Sequence, residues 1–148
     1  MVAQDVQFNR SLLGVKRPAG MFSVTREAIL RYAALTGYGD HIHAGDASGP
    51  TGAVAPPAFC AVLSWAIRLL DIDLKGVGAG LLAGESIHRT APVYAGDTLE
   101  ATIHLQKMYT KTGRSGTMTF VVWTIFFTNQ DGHLVETEEK SFVYKERE

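Results

Sequence analysis

The stretch Phe120-Val-Val-Trp-Thr-Ile-Phe-Phe127 constrains the fold more than any other, because it is apolar on both alternating faces and rich in β-branched and aromatic residues. Such a run predicts a central strand covered on both sides. Its neighbours fit antiparallel partners. Leu99, Ala101, Ile103 and Leu105 alternate with Glu100, Thr102, His104 and Gln106, the pattern of a half-solvated strand. Lys111-Thr-Gly-Arg-Ser-Gly116 and Asn129-Gln-Asp-Gly132 are turn sequences, and Leu134 to Tyr144 returns as a last strand. Everything after Gly80 reads as strands, with no internal repeat and no low-complexity tract.

Ahead of the strands lies a strongly apolar helix. It is expected to begin at Pro56-Pro57, where missing N–H groups cost little, and to run to about Leu70. Phe59, Val62, Leu63, Ala66, Ile67 and Leu70 recur at helical spacing, and Ala58, Ala61, Trp65 and Leu69 extend the apolar surface around it. A helix apolar on all sides is a buried helix. The expected fold class is therefore α+β, an antiparallel sheet wrapped around a long central helix. One helix covers one face of a sheet. The other face of a strand as apolar as Phe120 to Phe127 is expected to meet more sheet or a second subunit, so at least a dimer is expected.

At 148 residues, 16.1 kDa and 46% hydrophobic, the chain suits a single domain over residues 1–148. A formal charge of −1 with scattered Lys and Arg provides no basic stripe for phosphate backbones, so nucleic acid is not an expected partner. No stretch of eighteen apolar residues and no signal-like start is present, so a soluble, unexported, cytoplasmic protein is expected. The lone cysteine, Cys60, fits a reducing compartment and a small core position.

A first helix is expected from about Thr25 to Thr36, with Thr25 capping its start and Gly37 suited to the left-handed residue after its end. Ile29, Tyr32, Ala33 and Leu35 are assigned to its apolar face, and Arg17-Pro-Ala-Gly20 before it to a loose arm. The segment Tyr32-Ala-Ala-Leu-Thr-Gly-Tyr-Gly-Asp-His-Ile-His43 then exposes a carboxylate and imidazoles within a few residues. Asp40 and His43 are the candidate proton-transfer pair, since a carboxylate accepts protons and imidazole titrates near neutrality. The plainer reading makes Asp40 a turn residue and leaves His41 and His43 solvated. Asp40, His41 and His43, with Asp46 nearby, also have spacing a divalent metal accepts, but no metal is required. Gly76-Val-Gly-Ala-Gly80 follows a helix and precedes strands, the reverse of a dinucleotide loop, and is expected to be a turn. Trp65 and Trp123 are expected in the core, and Asp97 in a Gly-Asp turn. His88, His104 and His133 read as ordinary strand or turn residues.

Three segments together resemble a known family. Tyr32 to His43 is similar to a helix end followed by a Gly-Asp-x-Asn-Pro-Ile-His hydratase motif. Val54-Ala-Pro-Pro-Ala-Phe59 is similar to the start of a central helix, and Pro92-Val-Tyr-Ala-Gly-Asp-Thr-Leu99 to a Pro-Val-x-x-Gly-Asp-Thr-Leu turn. In order and spacing the chain resembles the hot dog fold and, within it, the MaoC-like (R)-specific enoyl-thioester hydratases and dehydratases, near the subgroup related to the fungal fatty acid synthase dehydratase. The resemblance implies reversible hydration of a trans-2-enoyl thioester to an (R)-3-hydroxyacyl thioester, on acyl-CoA or acyl carrier protein, without metal or dissociable cofactor. It also implies a homodimer or higher homo-oligomer, with a heterodimer as the variant. Asp40 and His43 are the expected catalytic pair. Tyr38, Pro57, Ala58 and Phe59 are the expected substrate-binding residues, with the Ala58 and Phe59 N–H groups facing the thioester oxygen. Aligning His43 with the motif's histidine puts Tyr38 at the family's catalytic aspartate position; aligning Gly39-Asp40 with its Gly-Asp shortens the loop and restores an Asp and a His. Two alternatives stay open: a thioesterase of the same fold, with Glu85 as its carboxylate, and a silent subunit of a heteromeric dehydratase.

Overall fold

A computed structural model describes residues 6–39 and 52–147. Five strands form one antiparallel sheet: β1 (Arg17–Ser23), β2 (Val77–Arg89), β3 (Thr98–Gly113), β4 (Gly116–Thr128) and β5 (Leu134–Glu146), in the spatial order β1-β3-β4-β5-β2. The apolar run thus occupies the centre, as its composition demands. Two helices accompany the sheet, α1 (Arg26–Thr36) and the short α2 (Phe59–Ser64). Leu99, Ala101, Ile103 and Leu105 from β3 join Val121, Trp123, Ile125 and Phe127 from β4 in one core with Ile29, Phe59, Cys60, Ile67 and Ile72.

The outer face of β4 is covered in a way the sequence reading did not anticipate. Val122 and Thr124 are buried and Phe120 and Phe126 half-buried within the chain itself. Long polar side chains provide the cover: Lys16 Nζ sits 4.1 Å above the Phe126 ring, Lys111 Nζ lies 5.5 Å from the Phe120 ring centre, and Thr124 Oγ1 donates to Gln106 Oε1 at 3.0 Å. Tyr109 stacks on Phe120 with ring centres 5.0 Å apart. Lysine stems that lie along apolar surface while keeping the charge wet remove the need for another layer. The ground on which a dimer was expected therefore falls away at this face.

The long central helix is corrected to six residues, Phe59–Ser64. Pro56 and Pro57 lie in the turn before it. At its far end the bonds tighten to three-residue spacing, with Ala66 N–H donating to Leu63 O and Ile67 N–H to Ser64 O, while Ser64 Oγ bonds back to Ala61 O at 2.8 Å. Beyond that, the backbone is engaged elsewhere. Asn9 N–H donates to Ile72 O at 2.8 Å and Lys75 N–H to Gln7 O at 3.1 Å, so the N-terminal segment holds 72–75 out of a helix. Nor is α2 buried all round, for Val62 and Trp65 are exposed, which corrects the core assignment of Trp65; Trp123 is buried as expected.

Three smaller corrections follow, the first two caused by strand pairing that a local reading does not see. Arg17-Pro-Ala-Gly20 is not a loose arm but most of β1, paired with β3, with a bulge between Pro18 and Gly20 that an edge strand tolerates. Gly76 to Gly80 is not a turn but leads into β2, where a Cβ on Gly80 would stand 2.5 Å from the Tyr144 ring. The glycine is required by a close approach of ring to backbone. Leu35, assigned to the apolar face of α1, is exposed, while Ile29 and Ala33 are buried. Among the described residues no helix is long and apolar enough to cross a membrane.

Candidate functional site

The first helix ends as its sequence predicts. Thr25 Oγ1 accepts from Ala28 N–H at 3.1 Å, Gly37 is left-handed at φ 79°, and Tyr38 N–H donates to Ala33 O at 2.9 Å. Tyr38 is exposed just past this end. Asp40 and His43, together with His41 and Asp46, lie outside the described residues.

The second half of α1 meets the start of α2 directly. Tyr32 Oη donates to Pro57 O at 3.5 Å, and the Tyr32 and Phe59 rings meet edge to face at 5.7 Å. Ala58 is left-handed at φ 64°, a conformation that costs a residue with a Cβ about 1–2 kcal/mol. Phe59 N–H already donates to Pro56 O at 3.1 Å, so a ligand oxygen would have to share it. The third motif segment is laced to the same place. Ala55 N–H donates to Val93 O and Ala95 N–H to Ala53 O, at 2.7 and 2.8 Å. Asp97 stabilises its turn as expected: Oδ2 accepts from Tyr94 N–H at 2.8 Å and Oδ1 from Gln130 Nε2 at 3.0 Å. Thus the described parts of the segments that carried the family resemblance, distant in sequence, meet near the start of α2.

Beneath α2 lies a cluster that sequence reasoning missed. Glu136, Glu138 and Lys140 of β5 are buried at 0%, 0% and 2% exposure. Arg89 Nε pairs with Glu136 Oε2 at 2.5 Å, and its Nη1 and Nη2 reach Ala55 O and Pro56 O at 3.4 and 3.5 Å. Lys140 Nζ pairs with Glu85 Oε1 at 3.2 Å and lies 4.0 Å over the Trp65 ring. Glu85, the alternative carboxylate, is thus a member of this network. Burial pushes the Glu138 carboxyl up to about 7, with Glu136 adding to the shift and Ser64 and Lys140 opposing it. Burial likewise pushes the Cys60 thiol up to about 12, reinforced by Glu136, which makes it an inert core residue as its position suggested. The only sequence signal was a strand with charge on both faces, a pattern ordinarily read as solvated. Among the described residues no group of histidine, cysteine and carboxylate side chains is arranged to hold a metal.

Comparison with known proteins places this arrangement. The sequence matches the family described as FAS1-like, dehydratase domain region, over residues 11–138. No curated protein sequence matches. The structure is similar to a MaoC-like dehydratase, with 23% identity, a TM-score of 0.72, and coverage of 92% of this chain but 43% of that one, so this chain spans less than half of it. It is also similar to the HadBC (3R-hydroxyacyl-ACP dehydratase) complex from Mycobacterium tuberculosis, with 22% identity, a TM-score of 0.65, and coverage of 91% and 98%. R-hydratase PhaJ1 from Pseudomonas aeruginosa aligns at 20% identity and a TM-score of 0.65, over 91% of this chain and 83% of that one. With its five-stranded antiparallel sheet and the described parts of its motif segments meeting near the start of α2, the chain belongs to the FAS1-like dehydratase-region family and has the MaoC-like hot dog fold.

Proposed function

We propose that the protein reversibly adds water across a trans-2-enoyl thioester, giving an (R)-3-hydroxyacyl thioester, with acyl-CoA or an acyl carrier protein as carrier. The observation that supports this reading is the contact of Tyr32 with Pro57 and Phe59, which brings α1, the helix that precedes Asp40 and His43 in sequence, against the start of α2. In hydration Asp40 takes a proton from water while His43 orients that water and supplies a proton at the α-carbon, each group contributing about 10²–10⁴-fold. Negative charge then develops on the thioester oxygen. Its stabilisation falls to backbone N–H groups at the α2 turn, with Ala58 the better placed because Phe59 N–H is engaged by Pro56 O. Pro57 shapes this turn and Tyr38 borders the substrate path.

A homodimer or a pair with a homologous chain completes the reading. Leu81, Leu82 and Ile87 are exposed on β2, an edge strand of the sheet, and Val62 and Trp65 are exposed in the α2 region. An open edge carrying apolar side chains is a surface that a partner strand covers. The HadBC neighbour is itself a complex.

Purified protein is expected to consume crotonyl-CoA, and Asp40→Asn or His43→Ala to remove about 10²-fold or more of that activity while leaving the circular dichroism spectrum unchanged. Full activity in both variants would reject the pair. One observation favours a second reading: Tyr38 stands at the family's acid position in one alignment, as it would in a silent subunit. Activity that appears only on mixing with a motif-complete homologue would select that reading.

A further inference from the structure

The charged patch under α2 holds more carboxyl groups than cations to match them. Glu138 Oε1 and Oε2 and Glu136 Oε1 are buried without a hydrogen-bond partner among the described residues, and the two side chains stand two residues apart on the same face of β5. The nearby Ser64 hydroxyl donates to Ala61 O at 2.8 Å. Two bare carboxylates facing each other repel and lack donors; a carboxylic acid facing a carboxylate makes a short, charge-assisted bond. Charge counting agrees. Arg89 and Lys140 are matched by Glu85 and Glu136, which leaves Glu138 as the uncompensated third carboxyl.

We propose that Glu138 carries a proton that it donates to Glu136 Oε1, and that this acid pair with Arg89 forms a proton-dependent clamp positioning the Ala55–Ala58 turn. The clamp is continuous: Glu138 holds Glu136, Glu136 holds Arg89 Nε, and the Arg89 Nη groups hold the carbonyls of Ala55 and Pro56, just before left-handed Ala58. Every element packed on the pair contributes to its setting. From α2 come Cys60 and Ser64, from β2 Arg89 and Glu85, from β5 Lys140, and from α1 Tyr32, whose own hydroxyl is raised first by burial and in part by Glu136. Arg89 is a positioning residue, since it touches the turn and not the substrate. Loss of the Glu138 proton would draw water between α2 and β5 and loosen the turn.

Carboxyl carbon-13 NMR of the full chain tests the proton without any assumption about activity. Glu138 is expected to titrate well above the ordinary carboxylate range, and to fall back toward it in Glu136→Gln; ordinary titration in the wild type would overturn the proposal. Stability gives a second readout. A folded-state value raised to about 7 over an ordinary unfolded one means that the folded state holds a proton the unfolded state has lost. Stability is then full below the ordinary range, falls as pH rises to about 7, and is flat above it. Relative to Glu138→Gln, which mimics the protonated acid, the wild-type Tm is expected to drop by about 2–6 °C between acid and neutral pH. Parallel curves would refute the clamp. The catalytic consequence rests on the hydratase reading: kcat for crotonyl-CoA should show an alkaline limb that Glu138→Gln abolishes, with KM little changed. A limb that survives in that variant would strike out the positioning role, whereas a protein inactive in both forms leaves the NMR and Tm results to decide the proton alone.

Discussion

The two halves of the sheet's inner face are built on opposite terms. On the β3–β4 side, Leu99, Ile103, Trp123, Ile125 and Phe127 are buried apolar groups that stabilise the fold through their removal from water, with no particular partner required. On the β5–β2 side the same depth holds Glu136, Glu138, Lys140 and Arg89, each of which loses hydration on folding and recovers it only through particular partners. The apolar half is robust to small displacements, because burial is non-directional. The charged half is not, because an ion pair or shared proton works at one geometry. A fold that keeps such groups under α2, at the point where the family motifs meet, concentrates its geometric precision there and leaves bulk stability to the other half.

Mutations can break that contrast. The largest effect on stability is expected in the apolar half, where Phe127→Ala should cost about 3–5 kcal/mol by cavity formation, read from urea unfolding with a nearly pH-independent difference from wild type. In the charged half Glu136→Ala should cost about 2–4 kcal/mol, because it strands Arg89, while Glu136→Leu combined with Arg89→Met should recover much of that loss. Complete recovery in the double variant would show that the pair acts as an isolated buried bridge, with its links to the Ala55 and Pro56 carbonyls contributing nothing. Gly80→Ala, at the strand between the halves and solvent, forces the Tyr144 ring aside and should cost about 1–3 kcal/mol. A loss below the error of the measurement would show that the ring swings away freely.

How much of this was legible beforehand varies by element. The strand alternation of β3, the centrality of β4, the caps of α1 and the turn role of Asp97 were all readable, because each depends on residues close in sequence or on simple periodicity. The length of α2 was not. Its apolar period continues to Leu70, but the backbone of 72–75 is bound by residues from the N-terminus, and the helix yields. Trp65 was placed in the core by the same period, and the sheet left it outside over Lys140. At the candidate site the sequence offered the motif residues, and the described residues add the contact that unites Tyr32 with Pro57 and Phe59. The buried carboxyls of β5 were invisible, since charged residues two apart on a strand ordinarily mark a solvated face.

By itself, then, the sequence determined the family, the antiparallel sheet and the order of its motifs, since hydrophobic periodicity and turn chemistry act over short spans of chain. Only the tertiary structure decided which apolar faces are covered by lysine stems, where α2 stops, and that three carboxyls and two cations share the space around α2. Those outcomes depend on groups brought together from distant parts of the chain, and the free energy of a charge depends on its neighbours more than on its own identity.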